Sequence, residues 1–595
     1  EPDAAAAIAG LSRAEVVRDE LPLGFVHPLV RDAVYRDVPP GERELQHERA
    51  ARALDANGAA PEQVAAHLLQ VPRRNDPWAV EVLRRAAARA ADRGAADSAA
   101  TYLARALEEP PPAAIRTQVL VELGTVEALG DGPAASTHLA QAYAALDDPA
   151  QRAAVALLLA QVLLFSGAPG QATTFAREAR AELPEALVDE RQGLLACERV
   201  SGFMHGVDPS VWRIGHPTVS GDGVGARMLA AVVAWEQELE GHGRETCAEL
   251  ARRALDGGVL QRVDPGLFWV IAAIVLDVAD EDMAQFWDDA LAAAYARGSL
   301  LGALATTLWR GRAQWHQGHL REAEQSISEA IEQAERFASS AVGAQYGEAF
   351  LVEVLLERGS TTAARALYDR AVARPRAGDA FRLFAEAQLP LLIAEERWAD
   401  ALQASEATRD LLDYVRNPVW RPWLSHRAEV LAGLGRVDEA AELLEQELSM
   451  LREWGAPRAI GKALRLLGSI TAKPDVLREA VDMLAATTSR LEHARAQAAL
   501  AALVPAEEAV PLLRAALQTA EASGAGGFRA QVAAALAGHG VPVGEPDPAA
   551  VPLTTTERRV MQLHAEGQDI RFIAQALCLT PRTVERTLAA LQNRP

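Results

Sequence analysis

A turn residue followed five positions later by an alanine recurs along most of the chain, at Gly94/Ala99, Gly130/Ala135, Gly167/Ala172, Gly243/Ala248, Gly318/Ala323, Gly359/Ala364 and Gly435/Ala440. Weaker copies stand at Glu396/Ala401 and Asp475/Ala480. Neighbouring copies are roughly 36 to 41 residues apart, or about twice that where one is missing, close to the ~34 of a tetratricopeptide array. Apolar residues between them keep helical spacing. Each copy reads as a turn between antiparallel helices, with the alanine allowing close approach, and stacked pairs bury a core that no pair buries alone. The pattern predicts an all-α, TPR-like α-solenoid over 61–538.

The period changes near the C-terminus. His539 to Ala550 carries Gly540, Pro542, Gly544, Pro546 and Pro548, so 539–552 reads as a linker. Residues 553–595 then predict three short helices. Thr554 and Glu557 form a capping box and Gly567 stops the first helix. Ile570, Ile573, Ala574 and Leu577 make one apolar face of the second. After a turn at Cys578-Leu579, Thr580 caps the third and Pro581 opens it; Val584, Leu588 and Leu591 turn inward. Arg582, Thr583, Glu585 and Arg586 then face outward.

These residues resemble the LuxR-type helix-turn-helix, with its L-T-x-x-E-x-x-V, I-A-x-x-L and T-x-x-T-V segments. The resemblance implies a DNA-binding domain in which Arg582, Thr583, Glu585 and Arg586 are the candidate base and phosphate readers, with Thr580 beside them and Arg571, Arg558 and Arg559 placed for phosphates. Ile570, Phe572 and Thr587 depart from the family's usual Asn, Glu or Gln, and His. The sequence stops at Pro595 without the family's K-L-x-V segment, so self-association through this domain is not expected. An exposed Phe572 favours an alternative, a helical-repeat adaptor whose terminal motif docks protein.

Phe25-Val26-His27-Pro28-Leu29-Val30-Arg31-Asp32-Ala33-Val34-Tyr35 is similar to the winged-helix element of the large ATP-binding regulators of the LuxR family, the STAND class. Counterparts of Asp76-Pro77-Trp78, Asn417-Pro418 through Pro422-Trp423, Trp454 to Ala459 and Arg490 to Arg495 also occur in that family. The resemblance implies a winged-helix remnant over 1–60, with His27 placed to sense nucleotide phosphate. Its nucleotide module would precede Glu1, and the missing initiator Met suggests a fragment. The nearest approach to a P-loop, Gly455 to Ala463, has one residue too many between its glycines and lacks the hydroxyl. No cofactor is therefore expected in this chain, with ATP or ADP entering only if the upstream module is present, and no enzymatic activity.

Charge localises the expected DNA contact. Formal net charge is −22 over 595 residues, which argues against coating of nucleic acid along the chain. From Leu553 onward six arginines stand against four acids. Lys462 and Lys473 are the only lysines. Cys197, Cys247 and Cys578 are isolated, so reduced thiols are expected and no zinc site. The acidic run Asp277, Asp280, Glu281, Asp282, Asp288, Asp289 lacks the glycine of a calcium loop and reads as a solvated helix junction. Trp420, Trp423 and His426 read as a helix start with core aromatics, and Gly202 to Gly225 as an inter-subdomain linker. The apolar runs are too short to span a bilayer. Taken together these features predict a cytoplasmic, signal-responsive transcription regulator. Its expected partners are promoter DNA and a small-molecule or protein inducer on the repeats, with homo-oligomerisation open.

Overall fold

The structure, a computed structural model, describes residues 2–18, 23–206, 215–337, 342–373, 378–411, 415–544, 553–577 and 579–592. Every regular element among them is helical; the one extended pairing is an isolated bridge between Val17 and Phe25. None of these helices is long and apolar enough to cross a membrane. The chain forms two compact units, Glu1–Leu123 and Gly124–Pro595. Thus the helices over 61–123 cluster with the first sixty residues.

In the first unit residues 1–60, the segment likened to a winged helix, carry three helices, Pro2–Arg13, Pro28–Asp37 and Pro40–Ala56. The Pro28–Asp37 helix buries none of its residues. Helix Pro77–Asp92 is started by Asp76, whose carboxylate accepts from the Trp78 N–H at 3.0 Å, and its apolar stripe Val80, Leu83 and Ala87 is buried. The indole N–H of Trp78 donates to Asp55 at 2.7 Å, tying this helix to Pro40–Ala56.

The second unit is a stack of antiparallel helix pairs of TPR-like form. All nine repeat alanines, Ala99 in the first unit included, are at most 1% exposed. At Gly94, Gly167, Gly318, Gly359, Glu396 and Gly435 the turn residue itself has positive φ. At two other copies Gly241 and Ala472, shortly upstream, take the left-handed conformation instead. The conformation that reverses the chain is thus kept while its sequence position slides.

Helix Phe268–Val278 is buried all round, over all eleven residues, as the axis of a core cluster that includes Trp269 and Trp287. Its N-terminus is capped from upstream: one Asp264 carboxylate oxygen accepts from the N–H groups of Leu267 and Phe268 at 2.9 and 2.8 Å. Burial pushes that carboxyl up to about 7, against the pull of those N–H groups.

Candidate functional site: a charged cavity and a docked terminal unit

Three of the segments singled out in the sequence converge on one cavity. Asn417 to Trp423 is fixed first. The N–H groups of Arg416 and Asn417 donate to the Leu239 carbonyl at 2.8 and 3.1 Å, and the Asn417 amide donates to the Glu238 carbonyl at 2.9 Å. These bonds satisfy orphan carbonyls at the end of helix Val224–Glu240. Arg421, 1% exposed, then reaches Glu386 at 2.8 Å and Asp379 at 3.2 Å. Asp379 also receives the Tyr346 hydroxyl and, at 3.4 Å, Arg382.

The second segment supplies Arg458, whose guanidinium pairs with Asp280 at 3.0 Å while its N–H donates to the same carboxylate. Asp277 holds Arg312 at 3.1 Å, and that guanidinium lies 4.7 Å from the centre of the Trp420 ring. Two of the acids expected at a solvated junction are therefore partners of cavity arginines, because the helices carrying Arg312 and Arg458 fold back onto them. The third segment brings Glu492, which accepts from Arg495 at 2.7 Å and Arg465 at 3.0 Å; Arg495 also pairs with Glu357.

The cavity has a volume of about 130 Å3 and opens to solvent on one side. Trp315, Phe350 and Trp420 supply apolar walls, and His426, Glu353, Glu447 and Lys462 face it. The near-miss P-loop lysine, Lys462, thus sits on helix Pro457–Ile470 as a cavity wall. Trp423 starts the next helix, Trp423–Gly433, as expected, whereas Trp420 and His426 line the cavity. The Glu386 Oε1 and His426 Nδ1 atoms are buried without a hydrogen-bond partner. Burial pushes the Glu353 carboxyl up to about 8, helped by nearby Glu386, and Glu447 up to about 7. It pushes His426 down to about 3, so this imidazole is neutral at pH 7. Such a cavity, with apolar walls and bare polar atoms, has the composition of a small-molecule site.

The terminal three helices run Thr555–Ala565, Ile570–Ala576 and Pro581–Gln592. The capping box is present: the Glu557 N–H donates to the Thr554 hydroxyl at 3.1 Å, and the Thr554 N–H to the Glu557 carboxylate at 2.7 Å. Gly567, with φ +82°, follows the first helix. Val560, Leu563, Ile573, Ala574, Leu577, Leu579, Val584 and Leu588 form its core. Cys578 and Arg594 lie outside the described residues.

This unit docks on the array through helix Leu320–Phe337. The Thr583 hydroxyl donates to Glu332, the Thr580 hydroxyl reaches the same oxygen at 3.3 Å, and Arg586 lies 3.6 Å from the other. Arg321 pairs with Glu557 at 3.0 Å, Thr554 bonds Gln325, and Arg336 donates to the Leu579 carbonyl at 3.5 Å. Thr583, expected to face outward, is therefore only 3% exposed, because the array covers it. Arg582, Glu585, Arg571, Arg558 and Arg559 remain exposed. Glu332, Arg321 and Gln325 were not anticipated: nothing in a repeat helix marks which of its charges meets a segment more than two hundred residues away.

In the first unit His27 is the N-cap of helix Pro28–Asp37, its Nδ1 accepting from the Leu29 N–H at 3.2 Å. The ring thus has a local structural task.

No protein-family profile and no curated relative matches the chain. Among solved structures it is similar, at 12% identity and a TM-score of 0.40, to a chain of the APC/C hetero-tetramer Cut9–Hcn1, over 84% of this chain and 98% of that one. A Rap protein complexed with competence and sporulation factor is similar at 12% identity and a TM-score of 0.33, over 65% and 97% of the respective chains. Yeast Tom70 is similar at 12% identity and a TM-score of 0.26, over 75% and 96%.

Proposed function

We propose that this chain is a ligand-responsive regulator in which the helical array holds a DNA-reading terminal unit in a silent position. One observation carries the reading: Thr580, Thr583 and Arg586, which the helix-turn-helix resemblance assigns to DNA, are the residues held by Glu332. A carboxylate on those side chains covers part of the face that would meet DNA, so docking and DNA binding compete. The cavity is the inducer site. Glu353 and Glu447, both pushed toward the neutral form by burial, face Lys462 across it, a set of donors and acceptors that suits a polar ligand. The array acts on the terminal unit by docking, and no catalytic step is invoked.

The test is selection from a random duplex pool by the full chain carrying Glu332→Ala, followed by anisotropy titrations across a salt series. A selected sequence motif is expected. Losing Arg582 should relax one base position at a cost of about 1–3 kcal/mol, and losing Arg558 should weaken all duplexes alike. If no duplex is bound in a salt-dependent way, the DNA-reading proposal fails. The adaptor reading then takes its place, and it has its own observation: Phe572 and Met561 are 48% and 44% exposed on the terminal unit, apolar surface suited to a protein partner.

A further inference from the structure

Where helix Val224–Glu240 ends, two imidazoles and a carboxylate come together. Glu240 is its last residue, and Gly241, with φ +82°, turns the chain so that His242 folds back over it. The His242 Nε2 atom lies 2.8 Å from Glu240 Oε2. His216 approaches the same oxygen from the segment before this helix, its Nε2 at 3.3 Å. One ligand atom from each of the three residues falls within 4.8 Å of the others.

We propose that His216, Glu240 and His242 form a zinc site. Two imidazole nitrogens and one carboxylate oxygen are a donor set that Zn2+ takes, with water in the fourth position. Two of the three separations are close to what the metal demands, and the third, between the imidazoles, is within 4.8 Å. Ligand atoms about 2.0–2.2 Å from a tetrahedral ion stand roughly 3.3–3.5 Å apart. The His216–Glu240 separation of 3.3 Å meets this already, and the His242–Glu240 separation of 2.8 Å has to open by about half an ångström. His242 is free to do so, because its side chain is 61% exposed.

A carboxylate also stands behind His216, where a metal-binding imidazole needs one. The other nitrogen of His216, Nδ1, is buried without a hydrogen-bond partner and faces the Glu236 carboxylate at 3.5 Å. Glu236 is itself gripped by both arms of the Arg199 guanidinium at 2.7 Å each. Glu236 and Glu240 are one helical turn apart and so share a face. Drawn up to hydrogen-bonding distance when the metal binds, a carboxylate behind the imidazole would fix its tautomer and aim Nε2 at the metal, the arrangement by which ligating histidines are commonly oriented. The segment that presents His216 is anchored at its far end by Gln192, whose side-chain amide makes two bonds to the backbone of Ser220, at 2.9 and 2.8 Å. Zinc would then pin 215–220 to the helix end whose carbonyls Arg416 and Asn417 already satisfy.

This inference is independent of the DNA-reading proposal, and its test involves no DNA. The full chain, stripped with chelator, is titrated with Zn2+ by calorimetry and with Co2+ by visible absorption, beside His216→Ala, His242→Ala and Glu236→Gln. The expected result is one tight equivalent with the absorption bands of low-coordinate Co2+. That equivalent is lost in both histidine variants and weakened about 10–100-fold in Glu236→Gln. Far-ultraviolet dichroism checks that the variants keep their helix content. Metal stoichiometry unchanged by His216→Ala and His242→Ala would place the bound zinc on other histidines and overturn the proposal, as would no binding by the unaltered chain.

Discussion

Replacing Glu332 by alanine removes one side chain of the array and should be felt as DNA affinity at the other end of the contact. The Thr583 hydroxyl is buried, so its bond to the carboxylate is worth about 1.5–3 kcal/mol as a hydrogen bond to a charged group. Thr580 shares the same oxygen at 3.3 Å and adds little. Arg586, whose side chain is 66% exposed, is screened by solvent and contributes about 0–1 kcal/mol. The sum, about 1.5–4 kcal/mol, corresponds to a roughly 10- to 700-fold shift of the docking equilibrium, at 1.4 kcal/mol per tenfold. While the docked form dominates, apparent DNA affinity should rise by that factor and then level off at the intrinsic affinity of the free reader. Glu332→Gln, which keeps an acceptor and loses the charge, should give an intermediate gain. Anisotropy with the selected duplex measures the gain, and amide exchange over 581–592 reports undocking without DNA. If Glu332→Ala changes neither the affinity nor the exchange protection of these amides, the docking contact does not control the terminal unit.

Three further outcomes are expected. Glu329, on the docking helix and beside Gln325, Glu332, Thr556 and Arg310, is pushed up to about 7 by burial first and by Glu332 next. If undocking exposes it, the docked state holds the extra proton between about pH 4.5 and 7, so docking weakens as pH rises through that window; DNA affinity of the unaltered chain should rise from pH 5.5 to 8, and Glu329→Gln should flatten the rise. Ala323→Leu and Ala440→Leu insert bulk where both alanines are 0% exposed and should each cost about 1–3 kcal/mol; an unchanged thermal midpoint in both would contradict the repeat packing. Arg421→Met leaves Asp379 and Glu386 buried with less positive charge and should cost about 3–5 kcal/mol by denaturant unfolding, and a loss under 1 kcal/mol would mean that the cavity's ion pairs do not depend on it.

The parts of this molecule legible in its sequence are those whose causes are local. The capping box of Thr554 and Glu557, the stop at Gly567 and the inward face of Ile573, Ala574 and Leu577 are set within one or two turns of chain, and each is found where its spacing put it. The repeat alanines belong to the same class, because a helix–helix interface needs a small residue at a fixed offset from the turn, whichever nearby residue adopts the positive φ. Charge is different, since its energy depends on distance in space and carries no periodicity. Asp277 and Asp280 read as solvated while only their neighbours in sequence were visible; Arg312 and Arg458 reach them from 35 and 178 positions away. Glu332 and Thr583 are 251 positions apart, and His216 meets Glu240 only because a loop anchored by Gln192 carries it there. A buried arginine or glutamate in a repeat array is therefore a pointer that outranks its local pattern: leaving it charged and unpaired costs several kcal/mol, so it either meets a partner elsewhere in the fold or, for a carboxyl, is pushed toward its neutral form. In this chain the search for those partners leads to the cavity and to the docked terminal helix, the two places where a bound ligand and bound DNA would have to act on each other.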